Sequence, residues 1–257
     1  MAALADEAAV RAAHAFLSSS VSADPRQRSE DPEHPETVQA MQIALEIPKP
    51  DPPQRSDLLA AAARAVVAVC LDPRSAPGGP WHERMAAWYG HRIRKIARRA
   101  RNKAWLDAQE IDGVTVAEEP PLRQAARARA FVASAVGDVP HEIRKLQIKG
   151  TDLPADEPGP ARVDAPVIML NQALAMSTGK DAAQAGHASM LYAASISQDA
   201  AADWARAGFP LSVRVIPAER FAQAAVKPGA VAVIDAGFTE VAPGTVTAIA
   251  LPPGTAF

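Results

Sequence analysis

Hydrophobic and polar positions change rhythm several times along the chain, and each change marks an element. In the stretch VQAMQIALEI, Met41, Ile43, Leu45 and Ile47 alternate with Gln42, Ala44 and Glu46, the period of a half-buried strand. After a proline-rich turn at 48–53, LLAAAARAVVAVC has the length and alanine content of a helix, capped by Ser56 and running to Cys70. Met85, Trp88, Ile93, Ile96 and Ala100 then recur at helical spacing, which predicts a second helix from His82 to about Gln109. Val114–Val116 and Ala128–Val132 read as short strands, and Ile143–Ile148 as a strand or a helix. The segment 151–164 (TDLPADEPGPARVD) has three prolines, four acids and no apolar period, so a linker and domain boundary are placed there. Beyond it come a strand at Val167–Leu170, a helix at Gly179–Ser195 and a shorter one at Gln198–Ala207. A strand carrying Leu211, Val213 and Val215 follows, then a helix from Pro217, and strands at Ala230–Ile234 and Val246–Leu251. Strand–helix–helix–strand–helix–strand–strand is an α/β order, one sheet covered by helices. No internal repeat is visible in the residues.

The start of the chain reads differently. Residues 2–17 carry Asp6, Glu7, Arg11 and His14 where an export signal needs an apolar core, so an alanine-rich helix that frays is expected. Residues 18–37 are polar and proline-broken, and the stretch 1–37 as a whole is expected to be a loose extension. No window approaches the roughly 20 apolar residues of a membrane span. The 257 residues hold Lys+Arg 27 against Asp+Glu 29, 48% apolar positions and one cysteine, Cys70. That excludes a disulfide framework and any multi-cysteine metal site, and it fits a cytoplasmic location. The expected organisation is an N-terminal α+β domain of unknown fold at 38–150 and an α/β domain at 165–257.

Three places could carry chemistry. Lys180, Gln184 and His187 fall at i, i+4 and i+7 along one stripe of a helix whose inward positions, Ala182, Ala183, Gly186 and Ala188, are small. Such a stripe can reach an anionic or carbonyl-bearing ligand, or can simply face solvent. Asp235-Ala236-Gly237-Phe238-Thr239 follows a strand, where α/β sheets bind ligands, and is also ordinary turn composition. Arg84, Arg92, Arg94, Lys95, Arg98, Arg99, Arg101 and Lys103 are eight basic residues with no acid among them between 84 and 103, a surface suited to phosphates or to a solvated face. Thr178-Gly179-Lys180 is not a phosphate loop: Leu174 stands where its first glycine belongs, and Asp181 where the magnesium-binding hydroxyl belongs. The six histidines lack paired ligand spacing, so no metal is expected.

The segments Met176-Ser177-Thr178-Gly179-Lys180-Asp181-Ala182-Ala183-Gln184-Ala185-Gly186-His187-Ala188 and Asp235-Ala236-Gly237-Phe238-Thr239-Glu240-Val241-Ala242-Pro243-Gly244-Thr245 resemble the two signatures of the archaeal/eukaryotic-type peptidyl-tRNA hydrolases. The likeness covers about residues 165–254. It implies a three-layer α/β domain with a mixed four-stranded sheet, hydrolysis of the ester between peptide and tRNA, and no metal or organic cofactor. It implies Lys180, Asp235 and Thr239 as catalytic residues, with Gln184, His187, Thr178 and Thr245 contacting substrate. Arg94, Arg98, Arg99 and Arg101 are then expected to hold the RNA. The family's usual lysine is Thr178 here and its usual arginine is Phe238, so the alternative is a non-catalytic tRNA- or RNA-binding relative. A homodimer is left open.

Overall fold

The computed structural model describes residues 7–22, 31, 33–118, 124–235, 242 and 244–257. The first strand, β1 (Gln39–Glu46), is followed by α2 (Arg55–Cys70), α3 (His82–Gly90), β2 (Arg94–Ala100), α4 (Lys103–Ala108), β3 (Gly113–Glu118) and β4 (Ala126–Phe131), while α1 (Glu7–Ser22) precedes it. The sheet order is β2-β1-β4-β3; β1 runs parallel to β2 and antiparallel to β4, and β4 antiparallel to β3. A two-residue strand β5 (Ser134–Ala135) extends it beside β1, and a short helix α5 (His141–Arg144) follows. β1 is buried on both faces rather than one: Ile43 and Leu45 pack under α2, and Ala44 packs under α4 and α5 with Trp105, Phe131 and Ile143.

The second half runs β6 (Val167–Asn171), α6 (Thr178–Ser195), α7 (Gln198–Arg206), β7 (Ser212–Ile216), α8 (Ala218–Ala225), β8 (Val231–Ile234) and β9 (Val246–Leu251). Its four-stranded sheet has the order β7-β6-β9-β8, with β6 parallel to β7 and antiparallel to β9, and β8 antiparallel to β9. Ile168, Leu170 and Ala248 face α6, while Val167, Met169 and Ile249 face Phe221 and Ala224 of α8. Helices therefore cover both faces, giving the three layers and mixed sheet that were expected.

Set side by side, the halves have one topology: strand, long helix, short helix, parallel strand, helix, then an antiparallel pair, with strand order 2-1-4-3 in each. This corrects the reading of no internal repeat. A side-chain detail recurs too. The Trp88 indole N–H on α3 donates to the Arg94 carbonyl at 3.0 Å, and that of Trp204 on α7 donates to the Pro210 carbonyl at 2.8 Å, each six residues onward.

The long basic helix expected over His82–Gln109 is instead α3, β2 and α4. β1 is buried along its length and needs a hydrogen-bonded neighbour on this side, which the register Ala40↔Arg94 to Glu46↔Ala100 supplies. Tertiary pairing overrides helical spacing here. The start of the chain is likewise not loose throughout. Val10, Ala13, His14 and Leu17 of α1 are buried, His14 Nε2 lies 2.8 Å from the Ala193 carbonyl, and the Ser18 hydroxyl donates to the Ala194 carbonyl at 3.2 Å. α1 thus satisfies last-turn carbonyls of α6, which helix geometry leaves without partners.

The segment 151–164 forms no helix or strand, and its first residues bind to both halves. Thr151 Oγ1 accepts from Gly179 N at 3.1 Å and Asp152 Oδ1 from Thr178 N at 3.2 Å, capping α6. Asp156 accepts the Ser56 N–H at 3.2 Å, capping α2. The expected Ser56 cap is replaced by this distant carboxylate. Between the sheets α2 and α6 lie against each other in one continuous core.

Candidate functional site

The site is built where the start of α6 meets the end of β8. α6 begins at an N-cap, Ser177, whose hydroxyl accepts from Lys180 N at 3.3 Å. With Thr151 and Asp152, this occupies the N–H groups of Thr178, Gly179 and Lys180. Any anion at this end is therefore left to side chains, of which Lys180 in the first turn is cationic. One turn on, Gln184 is held at both ends of its amide. Its Nε2 donates to Asp235 Oδ2 at 3.2 Å, and its Oε1 accepts from the Thr247 hydroxyl at 2.8 Å. Asp235 is 7% exposed and Thr247 fully buried.

The backbone fixes that carboxylate independently. Asp235 N donates to the Thr245 carbonyl at 2.9 Å, and Gly244 N donates to the Asp235 carbonyl at 2.8 Å. Gly244 has φ +82°, a conformation that costs glycine little and other residues more. A bulge between Val233 and Ile234 shifts the β8–β9 register just before the acid. Val231 and Val233 pack toward α6, and Asp235 continues that face as β8 ends. The stripe on α6 and the acid after β8 thus lie on one side of the sheet.

The other expected residues are placed as follows. His187 is half-buried on the same helix one turn beyond Gln184. Thr178 is fully buried and its hydroxyl accepts from Leu153 N at 3.0 Å, so it faces the segment that caps α6. The Thr245 hydroxyl donates to the Ala242 carbonyl at 2.7 Å and closes the turn. Thr239 lies outside the described residues. Thr247 was not anticipated; its signal is one polar residue in the otherwise apolar run VTAIAL.

Asp181 points away from this cluster into the seam with α2. Burial raises its carboxyl to about 6, against the opposing pull of Arg55, whose guanidinium pairs with it and also donates to the Met176 carbonyl at 3.1 Å.

Of the four arginines expected to hold RNA, Arg94, Arg98 and Arg99 are on β2 and Arg101 follows its last residue. Arg98 donates to Gln42 Oε1 at 2.7 Å and the Leu146 carbonyl at 3.0 Å; burial lowers its pKa. Arg99 donates to the Gly150 carbonyl at 3.1 Å and to the Gln147 side chain. These two hold the loop that leads into the α6 cap. Arg94 and Arg101, at either end of the strand, are half-buried. Residues 38–150 carry 18 basic against 12 acidic residues, whereas 161–257 carry six against seven.

Among the described residues no group of three or more His, Cys, Asp and Glu could hold a metal ion, and no helix is long and apolar enough to cross a membrane. Residues 165–256 match the family model of peptidyl-tRNA hydrolase PTH2. No curated protein and no solved structure matches the chain.

Proposed function

We propose that the C-terminal part of this protein hydrolyses the ester joining a peptide to the 3′ end of tRNA, releasing both. The observation that carries the reading is the Thr247–Gln184–Asp235 chain of hydrogen bonds, within the segment that matches the hydrolase family. In this mechanism Asp235 accepts a proton from water as the oxygen attacks the ester carbonyl, a role that contributes about 10²–10⁴-fold. Gln184 aims the carboxylate. The Lys180 ammonium stabilises the oxyanion that forms on the carbonyl, or holds the neighbouring phosphate. Collapse of the tetrahedral species expels the ribose oxygen, which takes up a proton as tRNA leaves.

The C-terminal half has no excess of positive charge, so the tRNA backbone is held by the basic N-terminal half. Arg94 and Arg101 are its contact residues, and Arg98 and Arg99 support the surface from behind.

The test is release of tRNA from an N-blocked aminoacyl-tRNA. Asp235→Asn is expected to lower kcat at least about 10²-fold with melting nearly unchanged. Lys180→Ala is expected to cost about 3 kcal/mol of transition-state stabilisation. Replacing Arg94 and Arg101 by alanine should raise KM and reduce the salt slope by about one to two counterions. Tight, salt-dependent tRNA binding by a wild-type protein with no turnover would replace this reading with that of a binding protein.

A further inference from the structure

The two halves share more than topology. Across the seam, the Ser189 hydroxyl donates to the Ala63 carbonyl at 2.8 Å, and a Cβ on Gly186 would stand 2.7 Å from Val66 Cγ2. Equating Ala63 with Gly186 and Val66 with Ser189, the same offset that equates the helix starts Arg55 and Thr178, exchanges the two contacts as a two-fold axis would. The packing is reciprocal as well: α2 lies against β7 of the other half, and α6 against β2. A self-complementary contact of this kind is how two identical subunits meet about a two-fold axis.

That axis sets the register between α2 and α6. Lys180 corresponds to Asp57, Gln184 to Ala61 and His187 to Arg64. At the strand ends, Val231-Ala232-Val233-Ile234-Asp235 corresponds to Val114-Thr115-Val116-Ala117-Glu118, the two valines and the acid facing the long helix in each case. The N-terminal half therefore has an acid where a lysine would stabilise negative charge, and a methyl where an amide would aim the carboxylate. Its own carboxylate, Glu118, is paired with Arg64, whose guanidinium also donates to the Gly208 carbonyl of the other half at 2.8 Å.

We propose that residues 39–131 are a chemically silent copy of the C-terminal half, built in as its partner subunit, so that one chain is a complete pair with one reacting site. Its acid, locked by Arg64, has become part of the seam. The small-residue face of α6, with Ala182, Ala185, Gly186 and Ala188 buried, is already covered by α2. A second chain therefore has no access to this seam, and the homodimer left open by the sequence is not formed through it. The proposal rests on the hydrolase reading only where turnover is measured.

Two measurements on the full chain test it. Light scattering over a wide range of concentration is expected to give the mass of a single chain; a two-chain mass would overturn the proposal. In the tRNA-release assay, Glu118→Gln and Ala61→Gln are expected to stay within about twofold of wild type, while Asp235→Asn falls at least about 10²-fold. A Glu118→Gln loss as deep as that of Asp235→Asn, with melting unchanged, would show a second working site and overturn the proposal. If the wild-type chain releases no tRNA at all, the hydrolase reading fails, and the mass still decides whether the pair is complete in one chain.

Discussion

Replacing Gln184 by leucine keeps the volume of the side chain and removes both ends of the amide. The perturbation is local, because the amide meets Asp235 at 3.2 Å and Thr247 at 2.8 Å. A hydrogen bond to a charged group contributes about 1.5–3 kcal/mol, against about 1 kcal/mol for the neutral one. If the first is used in the transition state, kcat falls about 10- to 150-fold at 1.36 kcal/mol per decade. The second appears as stability: Thr247 is fully buried, and its remaining contact is the Val233 carbonyl at 3.5 Å, so unfolding becomes easier by about 1–2 kcal/mol. Single-turnover release of tRNA from an N-blocked aminoacyl-tRNA reads the first effect, and urea unfolding reads the second. A Gln184→Leu protein with unchanged kcat would refute the idea that this amide aims the reacting carboxylate.

Three further outcomes are expected. Lys95 lies over the Trp88 ring and against Met190, and burial drives its amine down to about 7. The unfolded chain, with an ordinary amine, binds this proton up to a higher pH, so stability rises between pH 7 and 9 by about 2 kcal/mol more than in Lys95→Met, as read by urea titration. Arg55→Met leaves Asp181 buried without its guanidinium; the raised carboxyl destabilises once it ionises, so the variant should lose about 3 kcal/mol at pH 8 and much less at pH 5, where the carboxyl is protonated. Gly186→Ala pushes a methyl against Val66 and is expected to cost about 1–3 kcal/mol; adding Val66→Ala should recover part of it, and strict additivity in thermal melts would count against the contact.

The C-terminal half was legible because its chemistry and its fold use the same residues. Alternation in the strands, caps and glycines at the breaks, and a polar stripe on an alanine helix all agree there, and each predicted element is present. The N-terminal half hid its likeness. The positions that would advertise the repeat, Asp57, Ala61 and Arg64, differ in charge or size from Lys180, Gln184 and His187, while what is shared is strand order and the placing of Trp88 and Trp204. β2 was misread because arginines on an edge strand extend their stems along the surface, and Ile93, Ile96 and Ala100 satisfy helical spacing by coincidence. Thr178 was read as a site residue from the resemblance, where it stands in place of the family's usual lysine, yet the first turn of a helix points successive side chains in different directions, and this one faces Leu153.

The way α1 closes the far end of α6 has a consequence for how the chain is made. His14 and Ser18 find their hydrogen-bond partners some 180 positions downstream, at the carbonyls of Ala193 and Ala194. The start of α2 similarly waits for Asp156, 100 residues later. During vectorial synthesis the leading third of the polypeptide emerges with an amphipathic helix that can pack against α2 and α3, through Phe16 against His82 and Tyr89, while the side that meets α6 and α7 stays open until most of the message is read. Such long-range closure slows folding and leaves apolar surface open to chaperones meanwhile.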